Sequence, residues 1–257
     1  PSVGATESLM MAATLADGET IIDNAAKEPE IIDLANFLIS CGAKIRGAGD
    51  GKIFIDGVSS LNAMDYRIIP DRIEAGTFLT AGAITGGNII VENIIPDHIT
   101  SIITKLIESG ADIKVLNNSV EIKTPSRIKA INLETLPYPG FPTDMQPQMM
   151  SLMAISDGTS VINESIFENR FMHVQELKRM GADIQIDGQT TIIRGVPKLS
   201  GAPVKVSDLR AGAALLLAGL SADGKTLIDD LDRYIDRGYE NIINKLNIFG
   251  ASVKEIA

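Results

Sequence analysis

The amino-acid sequence predicts an α/β fold made of repeated units, with helices buried and sheets outside. Three observations predict it: a glycine pattern that recurs at one period, small-residue helices that are apolar nearly all round, and β-branched runs that follow those helices. Recurrence at a fixed period is the signature of stacked supersecondary units. Another kind of α/β repeat is the alternative that the residues leave open.

The recurring glycines fall into two sets with nearly the same spacing. Four Gly-Ala pairs, each between a helix-like and a strand-like stretch, begin at Gly42, Gly110, Gly181 and Gly250, which are 68, 71 and 69 residues apart. A second set, 69, 71 and 66 residues apart, comprises Gly18, Gly87, Gly158 and Gly224. Because glycine tolerates the left-handed conformation that follows a helix, we expect the second set to end the first helix of each unit and the Gly-Ala pairs to end the second.

Each unit contains two helices and several strands. The small-residue helices are predicted at residues 5–16, 75–84, 145–155 and 210–220. A β-branched run follows each helix, and two alternating strands follow each Gly-Ala pair. The last small-residue helix is apolar nearly all round, which is typical of a buried helix. A Rossmann sheet fits worse, because no Gly-rich fingerprint follows a predicted strand.

Composition narrows the class of protein. Hydrophobic residues make up 45% and charged residues 22% of the 257 residues, a balance typical of a folded chain. The net charge of -10 disfavours a large nucleic-acid surface, although clustered arginines can still bind a small anion. With one cysteine, no apolar run of membrane-spanning length and no visible signal peptide, we expect a soluble cytoplasmic protein without an intrachain disulfide.

Seven short segments carry a resemblance to a known family. They are PSVGAT at 1–6, NAAKEPE at 24–30, PDRIE at 70–74, FPTDMQ at 141–146, FENRFMH at 167–173, DLRA at 208–211 and IDRGYE at 235–240. In this order and spacing the chain resembles the C-terminal portion of the enolpyruvyl (1-carboxyvinyl) transferases that act on UDP-N-acetylglucosamine. Each segment alone is a weak signal, whereas seven in register over the whole chain are specific.

The resemblance implies an activity and an architecture. The activity is transfer of the enolpyruvyl group of phosphoenolpyruvate to the 3′-hydroxyl of UDP-N-acetylglucosamine with release of phosphate, the first committed step of peptidoglycan synthesis. The architecture is two inside-out α/β barrels of βαβαββ units. Residues 1–68 would be the last unit of the first domain, and residues 69–257 the second domain.

The resemblance also implies that this chain is incomplete as a catalyst. The family's reactive cysteine, and the lysine and arginine that assist it with phosphoenolpyruvate, lie upstream of Pro1. We therefore expect the chain to need the N-terminal half of the same enzyme as a partner. No cofactor is implied.

Asp144 is the first candidate catalytic residue. It begins a helix predicted to be buried, where the local sequence favours an N-cap, since Asp accepts hydrogen bonds from free helix N–H groups. The resemblance implies that this carboxylate contacts the sugar and takes the hydroxyl proton, which requires hydrogen-bond reach. Both roles stay open at this point.

Arg237 is the second candidate, and the resemblance implies that it reaches phosphoenolpyruvate. A planar guanidinium can hold a phosphate or carboxylate through two hydrogen bonds and offset developing charge. Gly238 beside it would permit close approach of the backbone. The alternative is a surface ion pair with Asp236 or Glu240, which stabilises little.

A further set of candidates would bind the nucleotide substrate. The resemblance implies this role for Pro1, Ser2, Val3 and Gly4, where backbone N–H groups at a helix N-terminus form an anion site. The alternative is a plain Ser N-cap. Ile166 is implied to contact the same substrate through its backbone; otherwise it would be a core residue.

Asp208, Arg72, Arg170 and Arg210 complete the candidate set. Asp208 would assist proton transfer, with a plain N-cap as the alternative. The three arginines would contact substrate, although structural ion-pair networks give the same signature.

Three other side chains are predicted to be structural. Cys41 precedes Gly42 at a helix end and is expected to be a buried small residue, not the reactive cysteine of the family. His98 and His173 have no partners at metal-ligand spacing, so no metal site is predicted.

Two further functions stay open. An enolpyruvyl-shikimate-phosphate synthase-like transferase would share the architecture and the chemistry but use another acceptor. The FPTDMQ and FENRFMH segments favour the nucleotide-sugar acceptor. The chain could also be a non-catalytic binding fragment that needs a partner chain.

Overall fold

A computed structural model describes residues 1–125 and 127–256 and divides them into two compact units. The first comprises Pro1–Pro70 with Pro137–Gly140, and the second comprises Asp71–Leu136 with the residues from Phe141 onward. Each unit has its own cluster of buried apolar side chains. Helices and strands alternate along both, so the predicted α/β class is confirmed.

The first unit contains two helices and one antiparallel sheet. Its elements are α1 (Val3–Ala13), β1 (Glu19–Asp23), α2 (Pro29–Ser40), β2 (Lys44–Arg46) and β3 (Lys52–Asp56), and the strand order is β1-β3-β2. Strand β3 alternates between the two faces of the sheet, so Ile53 and Ile55 are both fully buried. From α2, Ile31 and Ala35 at a spacing of four residues join the same core.

The second unit contains the remaining elements. Its helices are α3 (Arg72–Thr85), α4 (Thr100–Glu108), α5 (Gln146–Met153), α6 (Val174–Arg179), α7 (Leu209–Ser221), α8 (Tyr234–Gly238) and α9 (Ile242–Ile248). Its strands are β4 (Asn88–Glu92), β5 (Asp112–Val115), β6 (Ser119–Lys123), β7 (Leu133–Glu134), β8 (Thr159–Asn163), β9 (Asp183–Asp187), β10 (Thr190–Arg194), β11 (Pro203–Lys205) and β12 (Leu227–Asp229).

Helices α3, α5 and α7 pack against one another in the middle of this unit. All eight residues of α5 are buried, as are Ala211–Ala218 of α7. The small side chains allow close approach, and the Ser151 hydroxyl of α5 donates a 2.9 Å hydrogen bond to the Ala214 carbonyl of α7. Burial was expected for all four small-residue helices, and it is confirmed for these three. It is wrong for α1 of the first unit, where Leu9 and Met11 are 54% and 51% exposed.

The strands form separate sheets that repeat one topology. In each of the orders β1-β3-β2, β4-β6-β5 and β8-β10-β9, the first strand of the unit pairs antiparallel with the third, which also pairs with the second. Strand β7 adds a parallel pairing to β8, and β11 pairs in parallel with β12. Within the described residues the sheets do not join into one closed barrel, so the barrel stays a prediction.

The Gly-Ala pairs end helices as expected. At each pair the alanine N–H donates to the carbonyl five residues earlier and the glycine N–H to the carbonyl three residues earlier, as in Ala111 to Leu106 and Gly110 to Ile107. This is the Schellman pattern, which needs a left-handed glycine. Gly42, Gly110, Gly181 and Gly250 all have φ between +92° and +106°.

The second glycine set was wrongly expected to end the first helix of each unit. Helices α1, α5 and α7 stop before Gly18, Gly158 and Gly224, which instead form the turn that leads toward the next strand. After α3 the left-handed residue is Gly86, with φ +66°, and not Gly87. Gly86 is the C-cap of α3, so the positive φ falls one residue before the expected position at Gly87.

The expected strand pair after Gly250 also differs from the structure. Residues 251–256 carry no strand. The side-chain amide of Asn247 donates 2.9 Å to the Val253 carbonyl and accepts 2.9 Å from the Val253 N–H. The N–H and carbonyl of Val253, which a neighbouring strand would bind, are therefore satisfied by a side chain.

Candidate active site

Asp144 lies in a charged cluster of the second unit. It is the middle residue of a 3-10 turn, Thr143–Met145, that leads into α5. Its Oδ1 accepts from Arg170 Nη2, and its Oδ2 accepts from Arg210 Nε at 3.1 Å and Nη2 at 3.0 Å. The residue at the N-cap of α5 is Met145, so the N-cap interpretation of Asp144 is wrong.

The two arginines are more deeply buried than the carboxylate that they hold. The side chains of Arg170 and Arg210 are 8% and 12% exposed, whereas that of Asp144 is 39% exposed. Burial alone would raise the pKa of the Asp144 carboxyl, but the charges and hydrogen bonds of Arg210 and Arg170 outweigh it and lower the pKa. The carboxylate is therefore ionised at neutral pH, with one face open to solvent.

Arg170 is held by Thr143, which is in turn hydrogen-bonded to the buried Glu164. Its Nε donates to Thr143 Oγ1 at 3.1 Å, and that hydroxyl donates to Glu164 Oε2 at 3.0 Å. Glu164, only 1% exposed, also accepts from Thr135 Oγ1 and from the backbone N–H groups of residues 166 and 167. The Arg170 guanidinium lies 4.7 Å from the Phe167 ring centroid.

Arg210 is held by a buried phenol. Its Nη1 donates to the Tyr239 hydroxyl at 3.2 Å, and its guanidinium carbon lies 5.5 Å from the Tyr239 ring centroid. Gln148 Nε2 donates to the same phenol oxygen at 3.2 Å and to Thr77 Oγ1 at 3.1 Å. Burial raises the pKa of Tyr239 more than Arg210 and Thr77 lower it, so the phenol is neutral.

Asp208 caps helix α7 two residues before Arg210. Its Oδ1 accepts from the backbone N–H groups of Arg210 at 2.9 Å and Ala211 at 3.0 Å. The N-cap alternative for Asp208 is therefore confirmed, and a role in proton transfer stays a prediction. The cap also fixes the point at which Arg210 leaves the helix.

His173 is the last residue of the 3-10 turn that begins at Arg170. It is 1% exposed, and its Nδ1 lies 3.1 Å from the Arg170 carbonyl oxygen, which can only accept, so Nδ1 carries the proton. Burial lowers its pKa to about 4 against the opposing effect of Asp208. The imidazole is neutral at physiological pH.

Arg237 and Arg72 lie at other points of this unit. Arg237 is exposed on α8, with its guanidinium 5.9 Å from the Tyr234 ring centroid. Its neighbour Asp236 pairs with Arg233 at 2.8 Å. Arg72 is the first residue of α3, after the N-cap Asp71, and is half-buried.

Ile166 is a loop residue with 44% of its surface exposed, so the core alternative for it is wrong. Its backbone N–H donates to Glu164 at 3.0 Å. A substrate that contacts the Ile166 backbone would therefore have to use the carbonyl oxygen.

The N-terminal candidates belong to the first unit. Ser2 is the N-cap of α1, and its hydroxyl accepts from the Ala5 N–H at 3.3 Å. Pro1, Ser2 and Gly4 are exposed, and Val3 is half-buried. The Ser N-cap is confirmed, and nucleotide binding by this segment stays a prediction.

Three further observations concern the cysteine, possible metal ligands and helix length in residues 1–125 and 127–256. Cys41 is buried, at 6% exposure, as expected of a structural residue. No group of three or more His, Cys, Asp or Glu side chains in this part of the chain could hold a metal ion. Across the same residues, no helix has the length and apolarity to cross a bilayer.

The cluster combines a carboxylate, two cations and an open face. The carboxylate can accept a proton or a hydroxyl hydrogen bond, and the guanidinium groups can bind anionic oxygens. This combination suits a reaction in which a hydroxyl is deprotonated beside a phosphate or carboxylate.

Sequence reasoning missed several residues that build the site. Tyr239 lies inside the IDRGYE segment, but nothing in that segment distinguishes it as a site residue. Glu164, Gln148 and Thr77 gave no local signal, because polar residues in mostly apolar stretches are usually surface positions. A polar residue within a helix predicted to be buried, such as Gln148, was the available clue.

The chain is similar to known enzymes over nearly its whole length. The family model of EPSP synthase (3-phosphoshikimate 1-carboxyvinyltransferase) matches residues 1–246. The chain is 57% identical over 253 residues to UDP-N-acetylglucosamine 1-carboxyvinyltransferase 1 of Caldanaerobacter subterraneus subsp. tengcongensis, with 98% of this chain and 61% of the relative covered. It is 56% identical over 256 residues to UDP-N-acetylglucosamine 1-carboxyvinyltransferase of Synechocystis sp., with 100% and 58% covered.

A solved structure supports the same grouping. The crystal structure of the enolpyruvyl transferase NikO from Streptomyces tendae matches with a TM-score of 0.87 and 25% identity, covering 98% of this chain and 60% of that one. An EPSP synthase from Acinetobacter baumannii shares the fold, with a TM-score of 0.75 and 20% identity. The chain spans about three-fifths of the length of the curated relatives that it matches.

Proposed function

Because the chain belongs to the EPSP synthase (3-phosphoshikimate 1-carboxyvinyltransferase) family, we propose that it forms part of an enolpyruvyl transferase. The donor in this proposal is phosphoenolpyruvate and the acceptor is the 3′-hydroxyl of UDP-N-acetylglucosamine. Relatives at 57% and 56% identity carry the nucleotide-sugar name, which favours this acceptor over 3-phosphoshikimate. The observation that carries the proposal is the ionised, half-open carboxylate of Asp144 between two arginines.

Asp144 takes the proton of the acceptor hydroxyl in this proposal. The reaction replaces the bond between the enolpyruvyl carbon and the phosphate oxygen with a bond to the sugar oxygen, so the hydroxyl must lose a proton. A carboxylate whose pKa is lowered by two arginines is a weak base. Binding of an anionic substrate to either arginine would free a carboxylate oxygen and strengthen the base. Asp144 is then most basic when substrate is present.

The arginines supply the complementary charge. Arg170 and Arg210 lie beside Asp144, and we assign them, with Arg72, to the anionic groups of the substrates. Arg237 is assigned to phosphoenolpyruvate, because its exposed guanidinium on α8 is available to a ligand. Asp208 assists the proton transfer from the start of α7.

The nucleotide is assigned to two further segments. In the first unit, Pro1, Ser2, Val3 and Gly4 surround the N-terminus of α1, where free N–H groups favour an anion. In the second unit, Ile166 offers its carbonyl oxygen, since its N–H is bound to Glu164.

The proposal includes a larger architecture. Residues 1–68 would complete one inside-out barrel and residues 69–257 would form a second, a division that the two separate cores support. The reactive cysteine would come from an N-terminal portion, as the resemblance implies, and the greater length of the relatives leaves room for such a portion. The site of action would be the cytoplasm.

The test measures phosphate release from phosphoenolpyruvate with UDP-N-acetylglucosamine as acceptor. The chain is assayed alone and with the N-terminal portion of a relative supplied as a second polypeptide. We expect activity only in the mixture. Asp144→Asn should then lower kcat by about 10²- to 10⁴-fold, because it removes the base.

The control is Asp183→Asn, which removes an exposed carboxylate paired with Arg194 on the neighbouring strand. It should leave the rate unchanged. Full activity of Asp144→Asn would refute the role of the base. Activity with 3-phosphoshikimate in place of the nucleotide sugar would reassign the acceptor. Association of the two pieces without turnover would favour a binding fragment.

A further inference from the structure

Tyr239 is a buried side chain beside the charged cluster, with 1% of its surface exposed. Its oxygen accepts hydrogen bonds from Arg210 Nη1 and Gln148 Nε2, both at 3.2 Å. Thr77 Oγ1 lies 3.2 Å away and already donates its own proton to the Ile73 carbonyl at 2.8 Å. The Tyr239 proton therefore goes to Thr77, and both acceptor positions of the phenol are used.

This arrangement fixes the plane of the Arg210 guanidinium. Nε and Nη2 bind Asp144 Oδ2, and Nη1 binds the phenol. If the phenol oxygen were removed, Nη1 of Arg210 and Nε2 of Gln148 would each lose one hydrogen-bond acceptor while remaining buried. Leaving buried donors unsatisfied is costly, so the guanidinium would be expected to reorient.

Tyr239 also follows α8 directly, the helix that carries Arg237. Its backbone N–H closes that helix on the Ile235 carbonyl at 3.0 Å. The helix packs tightly on the start of α7: a Cβ added to Gly238 would lie 2.6 Å from Leu209 Cδ1. One residue thus joins the Arg237 segment to Arg210.

We propose that Tyr239 is a positioning residue, whose phenol holds the Arg210 guanidinium against Asp144 and anchors the Arg237 segment to the same cluster. Its effect on catalysis rests on the proposed function, but its effect on Asp144 does not. The positioning role of Tyr239 and the proposed function can therefore be refuted by separate results.

The test is the titration of the Asp144 carboxyl, followed by carbon-13 NMR in the full chain. Arg210 and Arg170 are the charged groups that face this carboxyl and lower its pKa. In Tyr239→Phe the ring remains but the acceptor is lost, so Arg210 should loosen and the Asp144 midpoint should move upward. Arg210→Lys sets the reference shift in the same direction.

Tyr66→Phe is the matched control. It removes a phenol that donates to Asp33 at 2.8 Å in the first unit, and it should leave the Asp144 midpoint in place. If Tyr239→Phe is too unstable, Thr77→Val removes the group that receives the Tyr239 proton and should shift the midpoint less, in the same direction. An unchanged Asp144 midpoint in whichever of these variants folds would overturn the proposal, whatever happens to stability.

Activity gives a second readout in the mixture with the N-terminal portion. Tyr239→Phe should lower kcat roughly tenfold and raise KM for phosphoenolpyruvate, because both Arg210 and Arg237 are displaced. If the Asp144 midpoint shifts in Tyr239→Phe but the wild-type mixture is inactive, the positioning role stands and only the proposed function is refuted.

Discussion

Each arginine that contacts Asp144 is itself held by a hydroxyl group from another segment. Thr143 accepts from Arg170, and Tyr239 accepts from Arg210. Both hydroxyls are in turn hydrogen-bonded, to Glu164 and to Thr77. Such connected shells fix the geometry of a charged site, because no member can rotate without leaving a buried group unsatisfied.

A residue-scale prediction concerns His173. The folded protein lowers its pKa to about 4, from an ordinary value of 6.5, because the ring is buried. Between these values the unfolded chain binds the extra proton, so stability is fully present above pH 6.5 and is lost as the pH falls toward 4. The free energy of unfolding should fall by about 2 kcal/mol from pH 7.5 to pH 5 through this residue.

Urea unfolding at the two pH values measures the effect. His173→Gln removes the titrating group, so its stability should depend less on pH over this range than that of the wild type. Equal pH dependence of the two proteins would show that His173 can be protonated without unfolding.

At the scale of elements, glycine has two different structural roles. Gly181 follows a helix with φ +92°, and an added Cβ would meet no atom within 4 Å. Gly212 lies inside α7, and an added Cβ would lie 2.5 Å from Ile235 Cγ1 of α8. The first glycine is needed for backbone conformation, the second for helix packing.

Alanine substitution should separate these roles. Gly181→Ala should cost roughly 1–2 kcal/mol of stability through backbone strain alone. Gly212→Ala gains helix propensity of about 1 kcal/mol but suffers overpacking of roughly 1–3 kcal/mol. Only the second should displace α8.

Hydrogen exchange of the amides in α8 and of Tyr239 is the measurement, together with urea unfolding. We expect faster exchange there in Gly212→Ala and unchanged exchange in Gly181→Ala. The packing argument fails if α8 exchanges at the wild-type rate in the Gly212 variant.

At the scale of the whole molecule, the two units have separate cores. The segment 57–70 contains neither helix nor strand, and its middle is exposed, with Met64 55% accessible. Backbone hydrogen bonds and side-chain contacts hold Asn62 and Tyr66 on either side of that middle. Loops of this kind are preferred sites of proteolysis.

Brief digestion with a broad-specificity protease should therefore cut first between residues 63 and 65. Mass spectrometry should detect a fragment that begins near residue 64, and circular dichroism should show that it keeps its helices, because the second unit has its own core. First cleavage within α3 or β4 would contradict this view of the second unit.

Much of the fold could be predicted from the sequence, because its signals are local. The period of the Gly-Ala pairs, the all-apolar helices and the β-branched runs each depend on neighbouring residues. The second glycine set was wrongly expected to end helices, at Gly18, Gly87, Gly158 and Gly224, and strands were wrongly expected after Gly250. In the place of those strands, the Asn247 side chain binds the backbone of Val253.

The site was only partly predictable. Asp144, Arg170 and Arg210 were all candidates, but the alternatives for Asp144 were an N-cap and a catalytic base, and its ion pairs with the two arginines were not predicted. Their pairing joins residues 26 and 66 positions apart, and no local pattern specifies such a distance. The roles of Arg237, Arg72, Ile166 and the N-terminal residues stay predictions.

The sequence by itself determined the α/β class, the repeat, the helix ends at the Gly-Ala pairs and the residue types available for chemistry. Only the tertiary structure decided that Asp144 lies between two arginines and that Tyr239 and Glu164 support them. The physical reason is the separation along the sequence between the residues that determine each feature. Helix ends and amphipathic faces depend on contacts within a few residues, whereas the pKa of Asp144 depends on charges that packing brings from distant segments of the chain.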